Sequence, residues 1–218
     1  AEGLKIAIVP QPNWRDDLRD FKKLGRPRLF FGISGGCMDS MVNKYTANKR
    51  LRSEDAYTPD GRPDMRPDYP STVYSQILKR LYPDVPVILG GIEASMRRLS
   101  HYDYWQDKVQ KSILCDSGAD LLIYGMGEKP IVELTRKIKG LLPTEDAVCT
   151  VNDLKTIIGT IPQTAYLCRA SEWTSDTEDI QLYSHEECLA DKKKQASNFR
   201  HIEEESNKYA ASRITQAV

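Results

Sequence analysis

The chain has 218 residues, 40% of them hydrophobic and 28% charged, enough for one well-buried core and too apolar for a disordered chain. Lysine plus arginine (31) balances aspartate plus glutamate (31), so net charge gives no nucleic-acid footprint and no pull toward an anionic membrane. No stretch approaches the roughly 18 apolar residues of a membrane span, and no basic start leads into an apolar signal core, so a cytoplasmic protein without membrane contact is expected.

In chain order, Ala1-Glu2-Gly3 runs straight into Leu4-Lys5-Ile6-Ala7-Ile8-Val9, with no initiator methionine. Glycine directly before a strand commonly closes a preceding helix, so a strand and a helix are expected upstream. Four runs rich in branched or aromatic residues read as buried strands: Leu4 to Val9, Leu29 to Ile33, Val85 to Leu89 and Leu121 to Tyr124. Helix-period segments follow them at about Asp39 to Arg50, at Thr72 to Leu81 with Val73, Ile77, Leu78 and Leu81 on one face, at Asp103 to Cys115, and at Pro130 to Ile138. Between Arg52 and Pro70, four prolines and Gly61 show no convincing period, and a loop of that length is usually functional or disordered.

Beyond Glu145 the pattern weakens to a helix near Val151 to Ile157 and a strand around Thr164 to Cys168. Residues 171 to 181, with six acidic or hydroxyl side chains in Ser171 to Thr177, read as a linker. The thin stripe Phe199, Ile202, Tyr209, Ala210, Ile214 reads as a helix that stops without a cap, so further protein is expected after it. Strands alternating with helices give an α/β class: a Rossmann-like parallel sheet with helices on both faces, spanning residues 1–170, and a helical C-terminal extension over 171–218. Ligands of such a sheet bind at the carboxyl ends of its strands, here the loops at 10–15, 34–39, 90–95 and 125–129.

Three of those loops carry candidate ligand-binding residues. Ser34-Gly35-Gly36-Cys37-Met38-Asp39-Ser40 follows a strand and opens a helix, so Ser34 and Asp39 stand where an anion would sit, or where Asp39 or Ser40 caps the helix. It resembles the Ser-Gly-Gly-x-Asp-Ser loop of ATP pyrophosphatases but has one extra residue before the aspartate, which turns Asp39 by about 100° at helical spacing. Gly90 and Gly91 precede Glu93, Arg97, Arg98, His101 and Asp103, which read as an anion-binding or a salt-bridged cluster. Gly125 and Gly127 with Glu128 repeat the pattern before Pro130, and the carboxylate there either faces a ligand or caps the helix.

The five cysteines are odd in number and far apart, Cys149 and Cys168 being 19 positions from each other, so free buried thiols are expected rather than disulfides or a metal site. His185 and Cys188 stand three apart without further ligands, and no metal is assigned to this chain.

Three segments together resemble the YgiQ-type radical S-adenosylmethionine (SAM) proteins: Arg26 to Gly32 leading into Met38-Asp39-Ser40-Met41-Val42-Asn43-Lys44-Tyr45-Thr46-Ala47, Asp55-Ala56-Tyr57-Thr58-Pro59, and Val87 to Arg98 with His101-Tyr102-Asp103-Tyr104-Trp105. The likeness continues through Asp120 to Glu128 and more loosely to the end. It implies an N-terminal domain that precedes a radical SAM barrel on the same polypeptide and is similar to cobalamin-binding Rossmann-like domains, some of which share Gly-Gly and Gly-x-Gly-Glu at consecutive strand ends. The Asp-x-His-x-x-Gly pattern that ligates cobalamin is absent. By the resemblance, the parent binds a [4Fe-4S] cluster and S-adenosylmethionine through a Cys-x-x-x-Cys-x-x-Cys motif. This chain lacks that motif and has no cofactor of its own. A non-catalytic ligand- or partner-binding module and a pyrophosphatase-like enzyme are the competing expectations, and the substrate is open.

Overall fold

A computed structural model describes residues 3–174 and 176–218; Ala1 and Glu2 of the opening segment and Ser175 of the expected linker lie outside the described residues. The elements run α1 (Arg19–Lys22), β1 (Phe31–Ser34), α2 (Ser40–Lys44), α3 (Pro70–Leu81), β2 (Val87–Gly90), α4 (Gly91–Met96), β3 (His101–Asp103), β4 (Lys108–Gln110), α5 (Ile113–Ser117), β5 (Leu121–Ile123), α6 (Glu128–Leu141), α7 (Val151–Lys155), β6 (Thr164–Ala165), β7 (Ile180–Gln181), α8 (His185–Ala190), α9 (Lys192–Ser206) and β8 (Ile214–Thr215). They fall into two compact units: the chain up to Arg98 with Leu114–Leu167, and Leu99–Ile113 with Cys168–Val218.

The first unit is α/β, built on a sheet in the order β1-β2-β5-β6. Phe31 pairs with Val87 and Ile88 with Leu121, both in parallel register, whereas Leu122 pairs antiparallel with Ala165. The sheet is mixed and mostly parallel, with β6 its antiparallel member, in keeping with the α/β class expected. Strand alternation divides the side chains between two faces. Ile88, Leu121 and Ile123 join Leu134 and Ile138 of α6 and Leu154 of α7 in one core cluster. Val87, Leu89 and Leu122, each fully buried, point the other way, toward the side on which Phe31 meets Tyr82 at the end of α3 with ring centroids 5.3 Å apart. Burial on both faces explains why β2 and β5 read as continuous apolar runs.

Several local expectations change. Leu4 to Val9 forms no regular strand, and Ile6 and Ile8 are 78% and 83% exposed. The helix expected to reach Arg50 stops at Lys44; Tyr45 bridges Leu51 and Lys49 takes a positive φ of 59°. Asp103 to Cys115 is a hairpin followed by a short helix, because Asp103 Oδ1 accepts the Gln106 N–H at 2.9 Å and Asp107 adopts φ 53°, closing a turn where a helix was expected. The buried face of α3 carries Ile77 and Leu78 of the expected stripe together with Ser71, Tyr74 and Ser75, while Val73 and Leu81 are half-buried, so small serines also meet the rest of the fold.

The proline-rich tract from Arg52 to Pro70 is ordered around Asp55, which accepts the Asn43 side-chain amide at 3.0 Å, the Tyr57 N–H at 2.9 Å, the Thr58 hydroxyl at 3.1 Å and the Arg66 guanidinium at 2.8 Å.

In the second unit, β7 pairs with β8 and α8 packs on α9. The stripe expected along one C-terminal helix is divided: α9 ends at Ser206, Phe199 and Tyr209 are exposed, and Ile214 pairs with Ile180. Cys149 and Cys188 are buried and Cys115 is half-buried, but Cys37 and Cys168 are exposed, against the expectation of buried thiols. Among the described residues no helix is long and apolar enough to cross a membrane.

Candidate functional site

Three strand exits converge in the first unit. Ser34 ends β1, Gly90 ends β2 and Gly91 opens α4, and Gly125 and Gly127 follow β5; with Ile88, Ile123 and Ile131 they line an open cleft of about 400 Å³. That volume lies in the range of small-molecule sites, at the sheet edge where α/β folds place ligands.

Backbone geometry dictates the glycines. Gly91 has φ 82°, and a Cβ there would lie 2.6 Å from Ser34 Oγ, so two strand exits touch only because no side chain intervenes. Ser34 Oγ accepts the Gly36 N–H at 3.2 Å. Ser95 ties α4 to the exit of β5: its hydroxyl donates to Gly91 O one turn back in α4 at 2.7 Å and accepts the Gly125 N–H at 3.1 Å.

Below the cleft sits a buried polar clasp centred on Glu93, which is fully buried on the first turn of α4. Its Oε2 accepts the Ser40 N–H at 3.1 Å and its Oε1 accepts the Ser71 N–H at 3.0 Å. Both amides belong to first turns, of α2 and α3, where backbone donors lack helical partners. Gly35 completes the fit, since a Cβ there would lie 3.0 Å from Glu93 Oε2.

Asp39 caps α2, accepting from the Met41 N–H at 3.0 Å and the Val42 N–H at 3.3 Å. Its second oxygen pairs with Arg97, and both side chains are buried. Arg97 also lies 5.3 Å over the Tyr69 ring and donates to Glu93 O at 3.3 Å. Asp39 is thus committed to helix capping and a buried ion pair, which takes it away from any phosphate role at this turn.

Tyr74, Ser71 and Ser75 share the buried face of α3, and their hydroxyls find no hydrogen-bond partner among the described residues. Burial pushes the Tyr74 hydroxyl up to about 12, with Arg66 opposing and Glu93 adding to the shift.

Of the sequence candidates, Ser34, Gly90, Gly91, Gly125 and Gly127 line the cleft, and Asp39, Glu93 and Arg97 form the clasp beneath it. Arg98 lies 4.8 Å from the Tyr124 ring centroid and donates to Ser95 O at 2.8 Å. Glu128 starts α6 with an exposed side chain. His101 and Asp103 belong to the β3-β4 hairpin of the second unit, where His101 Nδ1 lies 3.0 Å from Leu99 O. Sequence reasoning did not single out Gly35, Ser71, Tyr69 or Ser95. Serine at i and i+4 within an apolar helix was the available sign of a tightly approached face.

The cysteines do not fit an iron-sulfur cluster. Cys149 is buried with its thiol pushed up to about 11 by desolvation, and among the described residues no three His, Cys, Asp or Glu side chains are grouped to hold a metal ion.

Comparison with known proteins supplies the family. The Radical SAM N-terminal family matches residues 1–218. A UPF0313 protein of Bacteroides thetaiotaomicron is 88% identical over 218 residues, covering all of this chain and 35% of the relative. UPF0313 proteins of Porphyromonas gingivalis and Geobacter sulfurreducens are 64% and 43% identical, each with 33% of its length covered. The chain therefore spans about a third of the length of the curated relatives it matches. No solved structure matches it. With its full length matched by that family and its α/β core in place, the chain belongs to the Radical SAM N-terminal family.

Proposed function

We propose that this chain is the accessory N-terminal domain of a YgiQ-type radical SAM enzyme, and that its strand-end cleft faces the substrate. The observation that carries this reading is the coincidence of a full-length Radical SAM N-terminal match with a glycine-lined cleft at the carboxyl ends of β1, β2 and β5. In this reading the [4Fe-4S] cluster and S-adenosylmethionine are held by a barrel elsewhere on the same cytoplasmic polypeptide. The cofactor supplies a 5′-deoxyadenosyl radical that removes hydrogen from a substrate whose identity is open.

The chain's own residues then do two jobs. Ser34, Gly90, Gly91, Gly125 and Gly127 present backbone to the bound molecule, while Asp39, Glu93 and Arg97 fix the loops that carry them. Arg98 and Glu128 of the first unit are the polar groups assigned to contacts with substrate, and His101 of the second to contacts with the barrel; Asp103, a candidate by sequence, is buried and closes the β3-β4 turn instead.

Gly90→Ala tests the cleft. A Cβ at Gly90 has 3.9 Å to its nearest neighbour, and the backbone is extended, so the added methyl enters the cleft without strain. In the full-length polypeptide, iron content and unfolding temperature stay unchanged. Stimulation of 5′-deoxyadenosine formation by a small-molecule extract of the source cells falls at least about tenfold, the loss of one well-made contact. Undiminished stimulation would remove the cleft from substrate binding.

A further inference from the structure

Among the described residues β1 is the terminal strand of its sheet, bonded to β2 alone. Phe31 N–H donates to Pro86 O at 2.9 Å, so by alternation the Gly32 and Ser34 amides aim at the open side. Phe31-Gly32-Ile33-Ser34 carries no charge, proline or bulge, the usual devices that keep an exposed edge from pairing. On the α6 side the face is bare as well. A Cβ at Gly32 would meet nothing within 4 Å, although its strand partner Ile88 is only 3% exposed.

A second anomaly lies nearby in sequence. Leu4 to Val9 has strand composition with a single charge, Lys5, yet it has no strand partner among the described residues, and Ile6 and Ile8 are 78% and 83% exposed. The strand-like segment exposes apolar surface to water, which is unfavourable, and the free edge in the same unit is a ready template for pairing with another strand.

We infer that the free edge of β1 is a pairing site for a β-strand from the part of the same polypeptide outside residues 1–218, and that the side chains of Leu4 to Val9 pack against that added segment. The inference rests on the reading that the chain is part of a longer protein. The curated relatives supply the length, since residues 1–218 account for only 35% of the Bacteroides thetaiotaomicron protein. The occupant is an extended apolar segment whose main chain accepts from Gly32 and Ser34, the recognition mode of strand addition.

The test compares the chain of residues 1–218 with the full-length polypeptide by amide hydrogen exchange at Gly32. Protection is expected to rise at least about a hundredfold in the longer protein, as for an amide moved from a free edge into a ladder. The double substitution Ile6→Asp with Ile8→Asp should lower the unfolding temperature of the full-length protein and leave that of residues 1–218 unchanged.

Equal exchange at Gly32 in both proteins would overturn the inference. So would protection in residues 1–218 that grows with protein concentration together with a dimer mass in sedimentation, which would assign the edge to a second copy. Formation of 5′-deoxyadenosine by the same full-length sample separates the two readings. Radical chemistry with an unprotected Gly32 sinks only the edge pairing, and a protected Gly32 without that chemistry sinks only the enzymatic one.

Discussion

The Glu93 side chain accepts the amide of Ser40 at 3.1 Å across 53 residues of sequence, and through its other oxygen it holds the amide of Ser71. One buried carboxylate thereby fixes the starts of α2 and α3 beneath the β1 and β2 exits. Its replacement is consequently a stability experiment before it is a functional one.

Glu93→Ala leaves two buried donors without an acceptor. At roughly 1–3 kcal/mol for each unsatisfied group, destabilisation of about 3 kcal/mol is expected, read as a lower urea midpoint. Glu93→Gln keeps one acceptor oxygen and should cost about half as much. An unchanged midpoint in Glu93→Ala would show that the clasp carries no stability.

Arg97→Met strands Asp39 beside the α2 amides without its buried partner. Breaking one side of a buried pair typically costs about 3–5 kcal/mol, whereas replacing both partners is milder. The double variant Arg97→Met with Asp39→Asn should therefore be more stable than Arg97→Met alone, as thermal unfolding of the two would show.

Tyr74 runs the other way. Its hydroxyl is buried without a hydrogen-bond partner among the described residues, and its ring packs on Phe21 at a centroid distance of 5.6 Å. Tyr74→Phe keeps the ring contact and removes an unsatisfied polar group, so the unfolding temperature should stay level or rise. A clear fall would reveal that the hydroxyl is engaged.

Acid should loosen the proline-rich tract. Burial pushes the Asp55 carboxyl up, but hydrogen bonds from Asn43 and the Tyr57 N–H, together with Arg66, outweigh it and hold the group below the usual carboxylate range. A carboxyl depressed in the folded state contributes stability that is present above its unfolded value of about 3.9 and is lost as pH falls through the lower, folded value. Asp55→Asn should flatten the acid limb of the stability profile below about pH 4, checked by unfolding midpoints across that range.

The parts of this architecture legible in the sequence are those set by local pattern. Val87 to Leu89 and Leu121 to Ile123 are apolar because both faces of the sheet are covered, and a glycine pair after β2 marks a close approach that the contact between Gly91 and Ser34 realises. What stayed hidden depends on partners distant in the chain. Glu93 was legible as a carboxylate at a strand exit, but sequence does not say whether such a group turns outward to a ligand or inward to two helix starts. The β3-β4 hairpin was masked because Val109, Ile113 and Leu114 mimic helical spacing, while the Asp103 turn that breaks it is a side-chain hydrogen bond. Leu4 to Val9 has the composition of a strand, and composition alone cannot supply the neighbour that a strand requires.

The most direct test of the central reading is anaerobic reconstitution with iron and sulfide, done in parallel on residues 1–218 and on the full-length polypeptide, followed by assay of 5′-deoxyadenosine from S-adenosylmethionine. The account predicts that only the longer protein gains the visible absorbance of an iron-sulfur cluster and releases 5′-deoxyadenosine. Cluster binding and cleavage by residues 1–218 alone, or neither by the full-length protein, would contradict it.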